Sequence, residues 1–202
     1  MKKLRFGIIG CSGIAESSTI PSILNSKYAD LEFIGSRTEK KSKEFANKFK
    51  CKKFGSYEDV LENDDVDAVY ISVPVGLHEK WSMKAAKKGK HILCEKSSTT
   101  SFSSAKKMVF ESKKNNIRLM EAFMFRFHPQ HSKVKELIKR NLLGKIYTFS
   151  GFYGFLPIPR TNIRFDKKLG GGILNDAGCY PICASRILFD EEPKSVFCNL
   201  VI

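Results

Sequence analysis

The sequence has little that would place it in a membrane, an oxidising compartment or a metal-binding class. No stretch approaches the ~20 consecutive apolar residues that a spanning helix needs, so no membrane partner is expected. The opening "MKKLRFGIIGC" mimics a lipoprotein leader, but its apolar run is shorter than the roughly 7–15 residues of a signal core. The six cysteines (Cys11, Cys51, Cys94, Cys179, Cys183 and Cys198) form no Cys-x-x-Cys pair, and none of the four histidines stands at zinc-finger spacing. That excludes the usual structural metal motifs. The cysteines read instead as small buried hydrophobes of a reducing, cytoplasmic compartment. Acid is scarce too: 21 acidic residues against 35 Lys and Arg leave a net charge of +14. Such a surplus suits an anionic partner. The lysines are nevertheless dispersed, with the densest groups at 39–53 and 84–90 on expected helix faces and loops. No basic stripe accompanies a recognition fold, which argues against nucleic acid.

What is present alternates. "KLRFGIIG" (3–10) is a short apolar run closed by glycine, as a buried parallel strand should be. A glycine-rich turn and a helical pattern follow, the context that a dinucleotide fingerprint requires. The match is Gly10-x-Ser12-x-x-Ala15, with Gly13 and Ile14 inside it. The first glycine permits the turn, the second position lets backbone approach a pyrophosphate, and the third must be small. Ser12 replaces the usual second glycine and adds a hydroxyl that can bind phosphate. Further strands are expected at 31–37, 66–74, 90–95 and 117–122. Helices are expected at 42–49, 57–63, 78–89 and 101–115. This alternation predicts an α/β fold with a doubly wound parallel sheet, whose ligands bind at the carboxyl ends of the strands. The second strand ends in Ser36 and Arg37 rather than in an acidic residue. An arginine there pairs with a 2′-phosphate, favouring NADP over NAD; the alternative is a plain loop cation.

Three later segments, "AAKKGKHILCEKS", "MEAFMFRFHPQH" and "LGGGILNDAGCYPICASRILF", resemble the glucose–fructose oxidoreductase / inositol dehydrogenase / rhizopine-catabolism (Gfo/Idh/MocA) family. The likeness is strongest to its dihydrodiol and xylose dehydrogenase branch. The resemblance implies an N-terminal Rossmann domain (1–123) followed by an α+β domain with an open, mostly antiparallel sheet (124–202). Only 145–156 and 195–202 offer strands for that second sheet, so it is expected to be incomplete. The implied activity is NAD(P)-dependent hydride transfer at a hydroxyl or carbonyl carbon of a sugar, sugar derivative or diol. A nucleotide-sugar ketoreductase is the alternative within the family. A non-catalytic cofactor-binding remnant that needs a partner chain is the alternative outside it. A family-like homo-oligomer would use the outer face of the second sheet.

The family's Glu-Lys-Pro motif falls on Glu95, Lys96 and Ser97, so its lysine carries over and its proline does not. Its Pro-Asn pair falls on Pro74 and Val75. The resemblance adds His78 and Arg126 to the cofactor's surroundings; Arg126 could equally tie the domains together. It makes Tyr180 the acid/base, assisted by Lys96, with Asp176 orienting a substrate hydroxyl or the lysine. Gly170, Gly171 and Gly172 are expected to let backbone approach substrate and nicotinamide, with Arg164 as a further substrate contact. Pro181 leaves two readings of the local helix. Either it begins at Pro181, or it begins earlier and is distorted there, as the resemblance implies.

Overall fold

A computed structural model describes residues 2–199. The chain divides into two compact units, Met1–Ala122 with Arg160–Gly172, and Phe123–Pro159 with Ile173–Ile202.

The first unit is built on six parallel strands: β1 (Leu4–Ile9), β2 (Ala29–Gly35), β3 (Lys53–Gly55), β4 (Ala68–Ile71), β5 (His91–Cys94) and β6 (Leu119–Glu121), in the order β3-β2-β1-β4-β5-β6. Side chains alternate across the sheet and give it two buried faces. Ile9, Val69 and Ile71 face one cluster with Trp81 and Met108, while Ile8, Ile34 and Tyr70 face another with Ile20 and Phe45. A parallel sheet covered on both sides needs such unbroken apolar strands. The helices that cover it are α1 (Ile20–Asn25), α2 (Glu39–Phe49), α3 (Tyr57–Glu62), α4 (His78–Lys87) and α5 (Phe102–Lys114). Local chemistry sets their ends. Ser56 and Asp59 form a reciprocal capping box at α3, and the Ser101 hydroxyl accepts from Ser104 N at α5, satisfying amides with no partner inside the helix.

The second unit contains α6 (Pro129–Lys139) and α7 (Cys179–Phe189). Among the described residues it has no strand, which corrects the expectation of strands at 145–156 and 195–199; Leu200, Val201 and Ile202 lie outside the described residues. Apolar composition suited both segments to strands, but a strand exists only through ladder partners. Phe152 and Phe197 are each 96% exposed. The α/β class rests on the first unit's parallel sheet.

Prolines leave a mark in both units. Wide, π-helical turns at Ala15–Thr19 and Leu174–Gly178 run directly into α1 and α7, just ahead of Pro21 and Pro181. A proline cannot donate to the carbonyl four residues back, and a one-residue expansion accommodates the gap. The helix holding Tyr180 therefore starts well before Pro181.

Candidate functional site

Strands β1 and β4 are neighbours whose crossovers leave in opposite directions, so their carboxyl ends form the switch point of the sheet. The β1–α1 turn sits there. Gly10 has φ +109°, and a Cβ on it would lie 3.0 Å from Ser72 C and Val73 N. Only glycine fits that conformation and that gap. The turn is fastened on both sides: Gly10 N donates to Gly35 O at 3.2 Å, and Ser72 Oγ donates to Gly10 O at 2.7 Å. Ser12 Oγ accepts from Ala15 N at 3.1 Å, and its own proton is left to donate. Gly13 and Ile14 are exposed, and a Cβ on Gly13 would meet nothing within 4 Å. Ala15 is buried against the sheet. The turn therefore presents helix-start amides and open space on one side, the arrangement that receives an anionic phosphate.

Beyond β2, Ser36 is buried at 5% exposure and holds the turn through Ser36 N donating to Gly55 O at 3.0 Å. Its hydroxyl lies beside the Cys11 thiol, which burial pushes up in pKa. Arg37 precedes α2, Lys40 and Lys41 lie in its first turn, and all three are exposed. No carboxylate stands at the last residue of β2, where a ribose-binding acid would be.

The turn after β5 carries Lys96. Glu95 is buried, and its carboxylate accepts from Tyr70 Oη at 2.7 Å and from Lys96 N at 3.2 Å. Burial pushes the Glu95 carboxyl up, against the hydrogen bonds from Tyr70 and Lys96. Ser98 N donates to Glu121 Oε1 at 2.6 Å, and the Lys96–Ser97 peptide is cis. His78, 1% exposed, lies below with Nδ1 2.9 Å from Ser97 O and Nε2 2.7 Å from Val73 O. Pro74, half-buried, follows Val73 on the turn after β4. Glu95 and His78 thus stand beneath the turns, with the atoms named here engaged on protein groups, while Lys96 and Pro74 are carried on them.

The glycine run is explained in part within this unit. Gly170 has φ +79°, and its Cβ would lie 2.7 Å from Gly76 N, on the turn after β4. A Cβ on Gly171 would lie against Arg164 O, and Gly172 N donates to that same oxygen at 2.9 Å. The close approach made by Gly170 and Gly171 is to protein backbone. Gly172 alone faces open space. Arg164 lies on the exposed turn that these glycines close.

In the second unit Tyr180 is half-buried in an aromatic cluster. Tyr153 stacks on it at 4.8 Å with planes 6° apart, and Phe123 and Phe125 approach at 5.7 and 5.6 Å. Such contacts fix a ring's orientation. Asp176 stands on the wide turn four residues before Tyr180 and is half-buried. Arg126 is exposed and lines a separate cavity of about 510 Å³ with His131, Lys135 and Arg186. Sequence reasoning passed over Tyr70, Glu121 and Tyr153. A tyrosine in the all-apolar β4 was the available signal for the first; nothing in the sequence distinguishes the other two.

A parallel sheet in this order, with an open glycine turn at its switch point, defines a dinucleotide-binding protein of the Rossmann type. The family model described as "Oxidoreductase family, NAD-binding Rossmann fold" matches residues 4–123, and the "GFO/IDH/MocA C-terminal domain" matches 131–201. The chain belongs to the Gfo/Idh/MocA oxidoreductase family. It is 36% identical to the dTDP-3,4-didehydro-2,6-dideoxy-alpha-D-glucose 3-reductase of Actinomadura kijaniata, over 96% of this chain and 58% of that protein. It is 38% identical to the NADP(+)-dependent D-xylose 1-dehydrogenase 2 of Haloferax volcanii, over 96% of this chain and 59% of that one. A crystal structure of an A. kijaniata 3-ketoreductase with NADP and TDP-benzene matches with TM-score 0.89 at 35% identity, covering 93% of this chain and 58% of that one. The same ketoreductase has been solved with one tyrosine changed to phenylalanine and with one lysine changed to alanine. The chain thus spans less than two thirds of these relatives.

Proposed function

We propose that this chain is the cofactor-binding and catalytic part of an NADP-dependent oxidoreductase. The substrate is a sugar, sugar derivative or diol, and hydride passes between its hydroxyl or carbonyl carbon and the nicotinamide. The observation that carries the reading is the open, glycine-lined turn at the switch point, in a chain whose residues 4–123 match the family's NAD-binding domain. The fit of a dinucleotide rests on three features of that turn. Gly10 must be glycine, Gly13 leaves room for a pyrophosphate, and Ser12 retains a proton to donate. Arg37, with Lys40 and Lys41, suits a 2′-phosphate better than a ribose hydroxyl. NADP in the structures of the ketoreductase supports the same preference.

The bound nicotinamide supplies the hydride acceptor or donor. In this reading Tyr180 removes or returns the substrate's hydroxyl proton. A free tyrosine titrates near about 10, so a phenolate needs a cation, and Lys96 is assigned that part. Asp176 orients a substrate hydroxyl or the lysine; Arg164 and Gly172 are assigned to the substrate, and Arg126 and Pro74 to the cofactor's surroundings. The lysine and tyrosine exchanged in the ketoreductase stand 84 positions apart, the same separation as Lys96 and Tyr180 here. That coincidence, with the dTDP-sugar reductase among the relatives, favours a second reading in which the substrate is a nucleotide-linked keto sugar.

Both readings are tested by following NADPH absorbance with panels of aldoses, diols and dTDP- or UDP-linked keto sugars. Tyr180→Phe should lower turnover about 10²- to 10⁴-fold, the range for a general acid/base, and leave NADPH affinity unchanged. Full activity in Tyr180→Phe would remove the tyrosine from the chemistry.

A further inference from the structure

His78 is a buried, titratable side chain that the proposed chemistry does not use. It is the first residue of α4, and its two ring nitrogens meet two backbone carbonyls on two different turns. Nδ1 lies 2.9 Å from Ser97 O, one residue past Lys96, and Nε2 lies 2.7 Å from Val73 O, one residue before Pro74. The ring thus spans the gap between the turn after β5 and the turn after β4.

We propose that His78 is a positioning residue for Lys96: by donating from Nδ1 to Ser97 O it fixes the turn that presents the lysine, while its other nitrogen faces Val73 O on the turn that leads to Pro74. The proposal rests on the assignment of Lys96 to the chemistry. Two features support it. The ring is 1% exposed, so water cannot replace either contact cheaply. The same turn is also held at Lys96 N by Glu95, at Ser98 N by Glu121 and at Ser98 O by the Cys94 thiol, and the Ser97 carbonyl is where the ring adds its own hold. Glu121 is also the charged group facing the ring. Burial draws the ring's pKa down. A neutral imidazole has one N–H and donates to one of the two carbonyls; in the Nδ1–H tautomer that carbonyl is Ser97 O, and only a protonated ring donates to both.

The two contacts can be separated by side-chain geometry. The amide of asparagine falls near the Nδ1 position and can still donate to Ser97 O. The amide of glutamine falls near Nε2 and can still donate to Val73 O. Hydrogen exchange of the Lys96 and Ser98 amides, read by NMR in His78→Asn, His78→Gln and His78→Ala, therefore tests the proposal. His78→Ala and His78→Gln should speed exchange at those two amides by about tenfold or more, the signature of local opening, with α4 and β5 unchanged. His78→Asn should restore the wild-type rates to within about threefold. Equal exchange in the Asn and Gln variants would overturn the proposal, and so would wild-type exchange in His78→Ala. If His78→Ala does not fold, the Asn–Gln comparison decides. Exchange reads the turn without turnover, so inactivity of the wild-type chain would count against the oxidoreductase reading and would not alter what the exchange rates say of His78.

Discussion

Gly10 and Gly13 stand three residues apart in the same turn, and alanine at the two positions should act in opposite ways. At Gly10 the backbone has φ +109°, and the new Cβ would sit 3.0 Å from two backbone atoms at the end of β4 and 3.1 Å from Val73 Cγ1. The strained backbone costs roughly 1–3 kcal/mol. Forcing a methyl group against atoms that cannot rotate away costs about as much again. Gly10→Ala should therefore lose about 2–6 kcal/mol of stability. For a chain near 200 residues that is a fall in Tm of roughly 4–24 °C. At Gly13 nothing lies within 4 Å of the added Cβ. Alanine there should change stability by no more than about 1 kcal/mol, and in the stabilising direction if the helix start benefits. It should nonetheless weaken NADPH binding by about tenfold or more, because the methyl group occupies the space assigned to the pyrophosphate. Thermal unfolding by circular dichroism and NADPH fluorescence titration read the two effects separately. An unchanged Tm in Gly10→Ala would refute the packing argument, and an unchanged NADPH affinity in Gly13→Ala would refute the placement of the phosphates.

Two further outcomes follow from groups around the same turns. Arg37→Ala should weaken NADPH by about 10- to 100-fold, the loss of one charge-assisted contact, while NADH affinity stays nearly constant; equal losses for both nucleotides would remove the 2′-phosphate from its neighbourhood. Glu95 has its folded pKa raised by burial above its ordinary value of 4.5. A raised carboxylate favours the protonated folded state, so stability is lost as pH rises from that value through the folded pKa. Glu95→Gln keeps an oxygen for Tyr70 and should remove that loss, which urea titrations between about pH 4 and 8 would show as a flatter profile; a profile as steep as wild type would place the pH dependence elsewhere.

The first unit was largely legible in the sequence, and the reason is physical. A strand buried along its whole length, such as Ala68–Ile71, must be a short apolar run, and polar residues such as Asp67 and Ser72 bracket it. The three-residue edge strand Lys53–Gly55 was not expected, because "KFG" carries no such run and pairs on one side only. The helix around Tyr180 left two readings open, since Pro181 is compatible both with a helix start and with a widened turn; the turn at Leu174–Gly178 decides for the second. The segments at 145–156 and 195–199 misled because apolar composition indicates a strand without saying what it pairs with. At the site, the fingerprint located Gly10 and Gly13 correctly on the β1 turn. The burial of Ser36, Glu95 and His78 beneath the turns was invisible, because spacing reports which residues share a turn and not which way each one faces.

If the turn at the carboxyl end of β1 holds a phosphorylated nicotinamide dinucleotide, the purified 202-residue chain must bind one. Parallel titrations with NADPH and NADH, followed by nucleotide fluorescence, should show saturable binding of NADPH and weaker binding of NADH. A folded chain that binds neither nucleotide would contradict that placement.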